Sequence, residues 1–473
     1  MVVSAAFLAM FGALLTWGFR LRGPRGRALI SAYNVILGLF FLYLLLPGLL
    51  LILFNQGQYV WLPEIGSGEV VAVTLMVCML ACVAFICGYL VRIKRRAITQ
   101  FDGQRGSTMA EFVVAWTLVF VGVALKVYIA HSSGDMEINL QRYSGGIREN
   151  LGIDAVSSTL VALQYLSGVA DAGATWLLLE RMRSRRNLIL ATVVFAAVVT
   201  ATYFGSAKRL FLLWPVLTAG LGVHYYVKPI LLSRLPAFGA VILGIGFLSL
   251  MFRIYVPAYV TGIEIDLNDV DWAQGSLLKF YFFSLEFAMF EFLSLALYES
   301  SQVITLFGST VEAFIETNIV PFAYFIPRTL WPDKPTFFLD LSHAYRVVAM
   351  GGALDGRGGG VATTLLGTSW TIGGAVGLLV AMICLGFVCR FLDSNPKLRG
   401  TLRIADICWY SFGLVTVFHL FRQGTIAWTA IIVVVQQSGL VLGYMALSLA
   451  SGSVRRRTAY NQLVPDSRHR RDS

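Results

Sequence analysis

Apolar residues in this chain come in unbroken runs, not in the alternation of a half-buried strand or the three-four spacing of a surface helix. Such runs lie near 2–19, 28–54, 70–91, 109–130, 156–179, 188–204, 210–227, 235–256, 363–389, 404–421 and 426–450. A crossing takes about 20 helical residues, so the pattern predicts about 11 transmembrane helices and an all-α polytopic membrane protein. One long stretch, 257–362, departs from it, with short amphipathic segments and prolines at 321, 327, 332 and 335. Within it Leu277 to Tyr298 is apolar enough to span, but Lys279, Glu286 and Glu291 interrupt the run. That segment reads as a helix on the membrane surface or packed on the bundle. The expected organisation is an N-terminal bundle of about eight spans over 1–256 and a loop segment over 257–362. About three further spans over 363–450 and a basic tail over 451–473, read as disordered from Arg455, complete it.

Composition agrees. Apolar residues make up 57% of the 473 and charged ones only 13%, with a mean hydropathy of +0.73. A soluble chain carries about 25% charged residues, so a soluble enzyme, a disordered chain and a secreted disulfide scaffold are excluded. The first run, Val2 to Phe19, has no basic residue before it and is followed by Arg20, Arg22, Arg25 and Arg27. That is the reverse of a signal peptide's charge order, and it reads as a true span. The six cysteines sit in apolar stretches without histidine or aspartate companions. They read as buried small hydrophobes, and no metal site is expected.

The net charge of +11 points to a membrane, not to nucleic acid, once its placement is considered. Of the 37 lysines and arginines, 25 lie in 20–27, 92–108, 180–187, 228–234, 390–403 and the tail. By the positive-inside rule these segments face the cytoplasm. The other cations fall on the outer side or in the outer ends of spans, where membrane insertion selects against them. Some use therefore retains them.

Four outer islands collect these cations. Phe204-Gly205-Ser206-Ala207-Lys208-Arg209-Leu210 is a tight turn between spans, where snorkelling to ordinary lipid headgroups is an equally good account. Phe325 to Pro335 carries Arg328, Asp333 and Lys334 among three prolines, which forbid a regular helix and make a stiff segment. Ser342-His343-Ala344-Tyr345-Arg346 leads into glycines around Arg357, so that 336–360 reads as a mobile cover with Asp340 at its start. His419-Leu420-Phe421-Arg422-Gln423-Gly424 repeats the tight-turn arrangement. Guanidiniums at this depth suit a lipid-borne phosphate or pyrophosphate.

These islands resemble the Wzy-type oligosaccharide repeat-unit polymerases, including the O-antigen and enterobacterial common antigen polymerases. The resemblance rests on Gly205 to Arg209, on Ile326-Pro327-Arg328-Thr329-Leu330-Trp331-Pro332-Asp333-Lys334-Pro335, on Leu365 to Gly374 and on Phe421 to Gly424, over roughly residues 135–440. One departure is Gln423, at a place where common antigen polymerases can have an acidic residue.

The resemblance implies a GT-C-like, metal-independent glycosyltransferase of the bacterial inner membrane, without a cofactor and with its active site on the periplasmic side. It would move a growing glycan from undecaprenyl pyrophosphate to the nonreducing end of a new lipid-linked repeat unit. Its partners would be those lipid-linked oligosaccharides, membrane lipid and a chain-length-regulating membrane protein. Lys208, Arg209, Arg328, Lys334, Arg346, Arg357 and Arg422 would hold the pyrophosphate, with Arg328 at the reacting centre. His343, Asp340 and Asp333 would be the base candidates for the acceptor hydroxyl. Two other readings stay open: an O-antigen ligase, which uses the same donor but accepts lipid A core, and a lipid-linked oligosaccharide or polysaccharide transporter. Enzymes using polyprenyl-phosphate sugars fit less well, because 55–69 holds only Glu64 and Glu69 and no paired carboxylates.

Overall fold

The structure is a computed structural model describing residues 2–21, 30–54, 68–91, 109–132, 158–185, 187–206, 210–228, 230, 289–325, 331, 339–350, 363–394 and 403–463. Among them every regular element is a helix. In chain order these are α1 (Val2–Arg20), α2 (Ala32–Phe40), a π-helical turn (Phe41–Leu45), α3 (Leu46–Phe54), α4 (Gly68–Leu90) and α5 (Met109–Ser132). Next come α6 (Ser158–Leu166), α7 (Val169–Ser184), α8 (Leu188–Ser206), α9 (Leu210–Gly222) and a second π-helical turn (Val223–Val227). After them follow α10 (Met289–Thr305), α11 (Thr310–Asn318), a 3₁₀ segment (Val320–Phe325) and α12 (Leu341–Met350). The last are α13 (Thr364–Asp393), α14 (Ile404–Gln423), α15 (Ile426–Ala430), a π-helical turn (Ile431–Val435) and α16 (Ser438–Leu463).

Six of these stretches are long and apolar enough to cross a membrane: Val2–Arg20, Ala32–Leu53, Gly68–Leu90, Met109–Ile129, Thr364–Asp393 and Ile404–Gln423. Two bent pairs bring the number to as many as eight. The chain is a multi-pass helical membrane protein, as its apolar runs predict. Several runs are shaped differently from plain spans. The run at 156–179 is broken between α6 and α7 by a turn at Ser167 and Gly168. The run at 426–450 bends by 62°. The expected span 235–256 lies outside the described residues. The tail departs too: α16 continues through Arg455, Arg456 and Arg457 to Leu463, because extending an existing helix adds one bond per residue without a new nucleus. Four of the cysteines are buried, but Cys87 and Cys384 are exposed. On an apolar membrane helix an outward thiol meets lipid, which it tolerates as a small hydrophobe.

The chain divides into two compact units. The first comprises Met1–Ala97, Ile230–Asn395 and Gly413–Val433; the second comprises Ile98–Pro229, Pro396–Phe412 and Val434–Ser473. The first is centred on the crossing of α4 and α13. A Cβ on Gly88 would lie 2.1 Å from the Ile383 carbonyl oxygen, and one on Gly386 would lie 2.2 Å from that of Phe85. Backbones this close need glycine on both sides, and small-residue contact of this kind is how membrane helices gain packing without a hydrophobic drive between them. At the end of α13, Asp393 accepts hydrogen bonds from Ala32 N at 2.8 Å, Tyr33 N at 3.2 Å and the Tyr89 hydroxyl at 3.0 Å. One carboxylate thus closes the first turn of α2, where orphan amides and the helix dipole favour an anion. α10 lies buried against α4, α12 and α13, so this part of 277–298 is packed on the bundle.

In the second unit α5 and α7 pack face to face, with Trp176 and Trp214 among the largest buried side chains. Trp214 donates to Ser411 Oγ at 2.9 Å and meets Tyr444 edge-on at 5.7 Å.

The α4–α13 crossing gives a direct test. Gly386→Val places a branched side chain against backbone and should destabilise the detergent-purified protein by about 1–3 kcal/mol or more. Gly373→Ala, where a Cβ meets nothing within 4 Å, should leave the melting temperature unchanged or slightly raised. Thermal unfolding followed by size-exclusion chromatography reads both.

Candidate functional site

The residues that the sequence singles out for chemistry meet, where they are described, in the first unit around the start of α12. This helix is strongly amphipathic. Leu341, Ala344, Tyr345 and Val348 recur at helical spacing and pack on Phe292, Leu295, Ala296, Val303 and Ala313. Ser342, His343 and Arg346 are left half-buried on the other stripe. The segment expected as a mobile cover is therefore, over 341–350, a helix anchored in a core; its glycine-rich continuation lies outside the described residues.

Asp340 stands where an N-cap belongs, and aspartate is among the best residues for that position. Its Oδ1 accepts the His343 backbone N–H at 2.9 Å and lies 2.8 Å from His343 Nδ1. Its Oδ2 accepts the Trp428 indole N–H at 2.6 Å. Leu341 N, another amide of the first turn, donates to Thr317 Oγ1 of α11 at 3.1 Å. One buried carboxylate, 2% exposed, thus caps α12, orients an imidazole and ties α12 to α15. Burial by itself would raise its pKa. The hydrogen bonds and charge of His343, with help from Ser342, outweigh that and hold the carboxyl below its ordinary value. Asp340 is an anion with its lone pairs engaged, so its place is to orient His343. With Nδ1–H given to the carboxylate, the assigned tautomer puts the ring lone pair on Nε2, and the imidazole edge is partly open, 18% exposed.

Three more elements close around this start. Tyr345, fully buried, hydrogen-bonds the Thr371 hydroxyl of α13. Asn318 Oδ1 accepts Ile426 N at 3.1 Å and fixes the first turn of α15 to the end of α11. The break between α14 and α15 is made by Gly424, at φ +75°. A Cβ there would lie 2.2 Å from the Thr364 carbonyl oxygen and 2.4 Å from Thr368 Oγ1, so only glycine lets the turn rest on the first turn of α13. Thr364 itself has φ +61°, a strained conformation for a β-branched residue. α13 breaks again at Gly374, with φ 57° and ψ −150°.

Of the expected site residues, Asp340 and His343 are in direct contact, and Arg346 follows three residues on along the same helix face. Arg422 sits half-buried at the end of α14, two residues before the Gly424 turn. One turn back from it, His419 is buried with neither ring nitrogen hydrogen-bonded. Lys208, Arg209, Arg328, Asp333, Lys334 and Arg357 lie outside the described residues. Sequence reasoning missed Trp428, Thr317 and Asn318, whose roles depend on helices that are distant in the chain. It also missed a pairing in the second unit, Lys126 with Asp171; two opposite charges inside apolar runs were a readable signal for it. Among the described residues no three histidine, cysteine, aspartate or glutamate side chains converge as metal ligands would.

Compared with known protein families, curated proteins and solved structures, the chain finds no match. The geometry of the site therefore carries the functional argument alone.

The cap makes a pH-dependent prediction. Because Asp340 binds its proton less tightly when folded, its ionisation contributes stability that is fully present above the ordinary value of 3.8 and is lost as pH falls through the lower folded value. Asp340→Asn should therefore lower the unfolding temperature at pH 7, and the gap to wild type should close in acid below that value. Trp428→Phe should cost about 1–3 kcal/mol by leaving a buried acceptor short of a donor. Unfolding curves across the acid range check both.

Proposed function

We propose that the chain is a lipid-pyrophosphate-dependent glycosyltransferase that polymerises oligosaccharide repeat units. The observation that carries this reading is the pairing of buried Asp340, clamped by Trp428, with the partly open His343 ring, in the segment where the sequence expects outer-face chemistry. An imidazole oriented by a carboxylate is a general-base arrangement. Arginines at 346 and 422 supply cations on the same unit.

In this reading the acceptor sugar hydroxyl gives its proton to His343 Nε2 as its oxygen bonds the donor's anomeric carbon. The anomeric carbon–oxygen bond breaks, and its electron pair leaves on undecaprenyl pyrophosphate. Arg346 and Arg422, with Arg328, Lys334 and Arg357, stabilise the charge that develops there. Asp340 stays ionised, keeps Nδ1–H donated and steadies the imidazolium that forms. Asp333 is the other base candidate. The reaction lies at the periplasmic face of the inner membrane, within an arrangement of about 11 spans of GT-C type.

A ligase is the near alternative, separated by its acceptor: lipid A core in place of a second repeat unit. A transporter is favoured by different observations, the bent helix pairs and the ion pair inside the second unit. It would move lipid-linked oligosaccharide across vesicles without lengthening it.

Purified protein in lipid, given synthetic lipid-linked repeat units, tests the reading. Wild type should build long chains. His343→Ala should slow extension by about 10²–10⁴-fold, while Arg346→Ala should chiefly raise the donor concentration needed. Unchanged chain lengths from both variants would sink the assignment. Topology follows from the same reading: reporter fusions at Gln104 and Gln462 should read as cytoplasmic and one at Ser309 as periplasmic.

A further inference from the structure

In the first unit a groove runs between α1 and α4 that the proposed glycan chemistry does not use. Ser4 Oγ, buried, donates to the Gly68 carbonyl at 2.5 Å and pins the start of α1 to the start of α4. Near their other ends a Cβ on Gly18 would lie 3.4 Å from Ile86 Cδ1, so the two helices run parallel. Both are long and apolar enough to cross a membrane, and their joined starts therefore mark one boundary of the bilayer. From α1 the groove is lined by Val3 and Phe7, one turn apart. From α4 it is lined by Glu69, Ala72, Val73 and Met76, a single stripe at helical spacing. The cause of the hollow is local. Gly68 has no side chain and buried Ala72 only a methyl, while Val3 and Met76 are 60% and 49% exposed.

The groove holds about 560 Å³, within the about 300–1,000 Å³ of small-ligand sites. From Gly68 to Met76 it follows α4 for about 12 Å, so it leads from the boundary into the hydrocarbon. Its lining is apolar except at one place. Glu69, exposed in the first turn of α4, sets a carboxylate at the boundary end. Among the described residues no lysine, arginine or histidine pairs with it. An acid in a first turn suits the helix dipole, but the dipole alone asks for no apolar hollow beside it. Two helix starts also meet here, and first-turn amides favour a phosphate. An apolar channel, an anion at its mouth and the amides of two helix starts together describe an amphiphile with a hydrocarbon chain, a cation and a phosphate.

We infer that this groove binds a membrane phospholipid whose headgroup ends in a primary ammonium. One acyl chain lies along Ala72, Val73 and Met76, the phosphate rests beside the starts of α1 and α4, and the ammonium donates to the Glu69 carboxylate. Charge selects the headgroup. An anionic lipid with hydroxyls in place of the amine brings a second negative charge to Glu69 without a cation to answer it. A trimethylated amine keeps the positive charge but has no N–H to donate. Bound there, the lipid fills the hollow between two spans and ties α1 to α4 beyond the one hydrogen bond from Ser4.

The test uses the full chain, purified in detergent and stripped of lipid, in native mass spectrometry. It is titrated with phosphatidylethanolamine, phosphatidylcholine or phosphatidylglycerol, all carrying the same acyl chains. No glycan is present, so the outcome is independent of the proposed polymerase activity. Wild type should take up one phosphatidylethanolamine about tenfold more tightly than phosphatidylglycerol, with phosphatidylcholine between them. Glu69→Gln should remove that difference, and Met76→Trp, which fills the groove, should weaken the binding of all three. Both positions are exposed, so the lipid-free variants should melt as wild type does. Equal affinity of wild type for phosphatidylethanolamine and phosphatidylglycerol would overturn the inference. An undiminished preference in Glu69→Gln, or unaltered binding to Met76→Trp, would do the same. A dimer that Met76→Trp dissociates would give the groove to a second copy of the chain and overturn it as well.

Discussion

Hydrocarbon offers no hydrogen-bond partner, and that constraint organises this protein. Every amide that is not satisfied within its own helix must find a side chain, because an orphan group in lipid costs several kilocalories per mole. The described elements are accordingly all helical, and their ends are closed by specific acceptors. Asp393 closes α2, Ser31 closes the same turn through Asn34 N, Asp340 closes α12 and Asn318 receives the first amide of α15. The caps from Asp393 and Asn318 are long-range in sequence, so at those ends satisfying the backbone and assembling the bundle are one process. Asp393 alone joins residues some 360 positions apart.

The same constraint prepares the candidate site. A carboxylate placed to satisfy a helix start is also a buried anion, and a buried anion orients whatever donors surround it. At Asp340 the donors are the His343 ring, the His343 amide and the Trp428 indole. Capping and positioning thus use one side chain, and two elements, α12 and α15, are committed to its geometry. The Gly424 turn works toward the same end. Its backbone rests on Thr364 and Thr368, which fixes the start of α15 and so the indole that holds Asp340.

The two units meet their polar demands differently. In the first, charge collects at helix ends, where dipoles and amides receive it. In the second, Lys126 and Asp171 lie within apolar helices and answer each other through Thr202, beside a set of hydroxyls. Charge at helix ends is suited to a ligand arriving at the membrane boundary.

The sequence by itself determined the class of the protein. Runs of apolar residues without polar interruption have one stable form in a bilayer, so helices and their approximate limits were legible at 2–19, 70–91, 109–130, 363–389 and 404–421. Asp340 and His343 were legible as chemistry-bearing residues, because they are ionisable side chains in an outer segment beside the cationic islands; that they stand at the start of a helix was not legible. Breaks such as Ser167–Gly168 and the 62° bend after Val435 were not, since hydropathy averages over a turn and does not register a change of direction. Only the tertiary structure decided that Trp428 holds Asp340, that Lys126 answers Asp171, and that Gly88 and Gly386 bring α4 and α13 into contact. Those are choices among distant partners. Local composition states what each residue needs, but which group satisfies that need depends on the packing of helices that are remote along the chain.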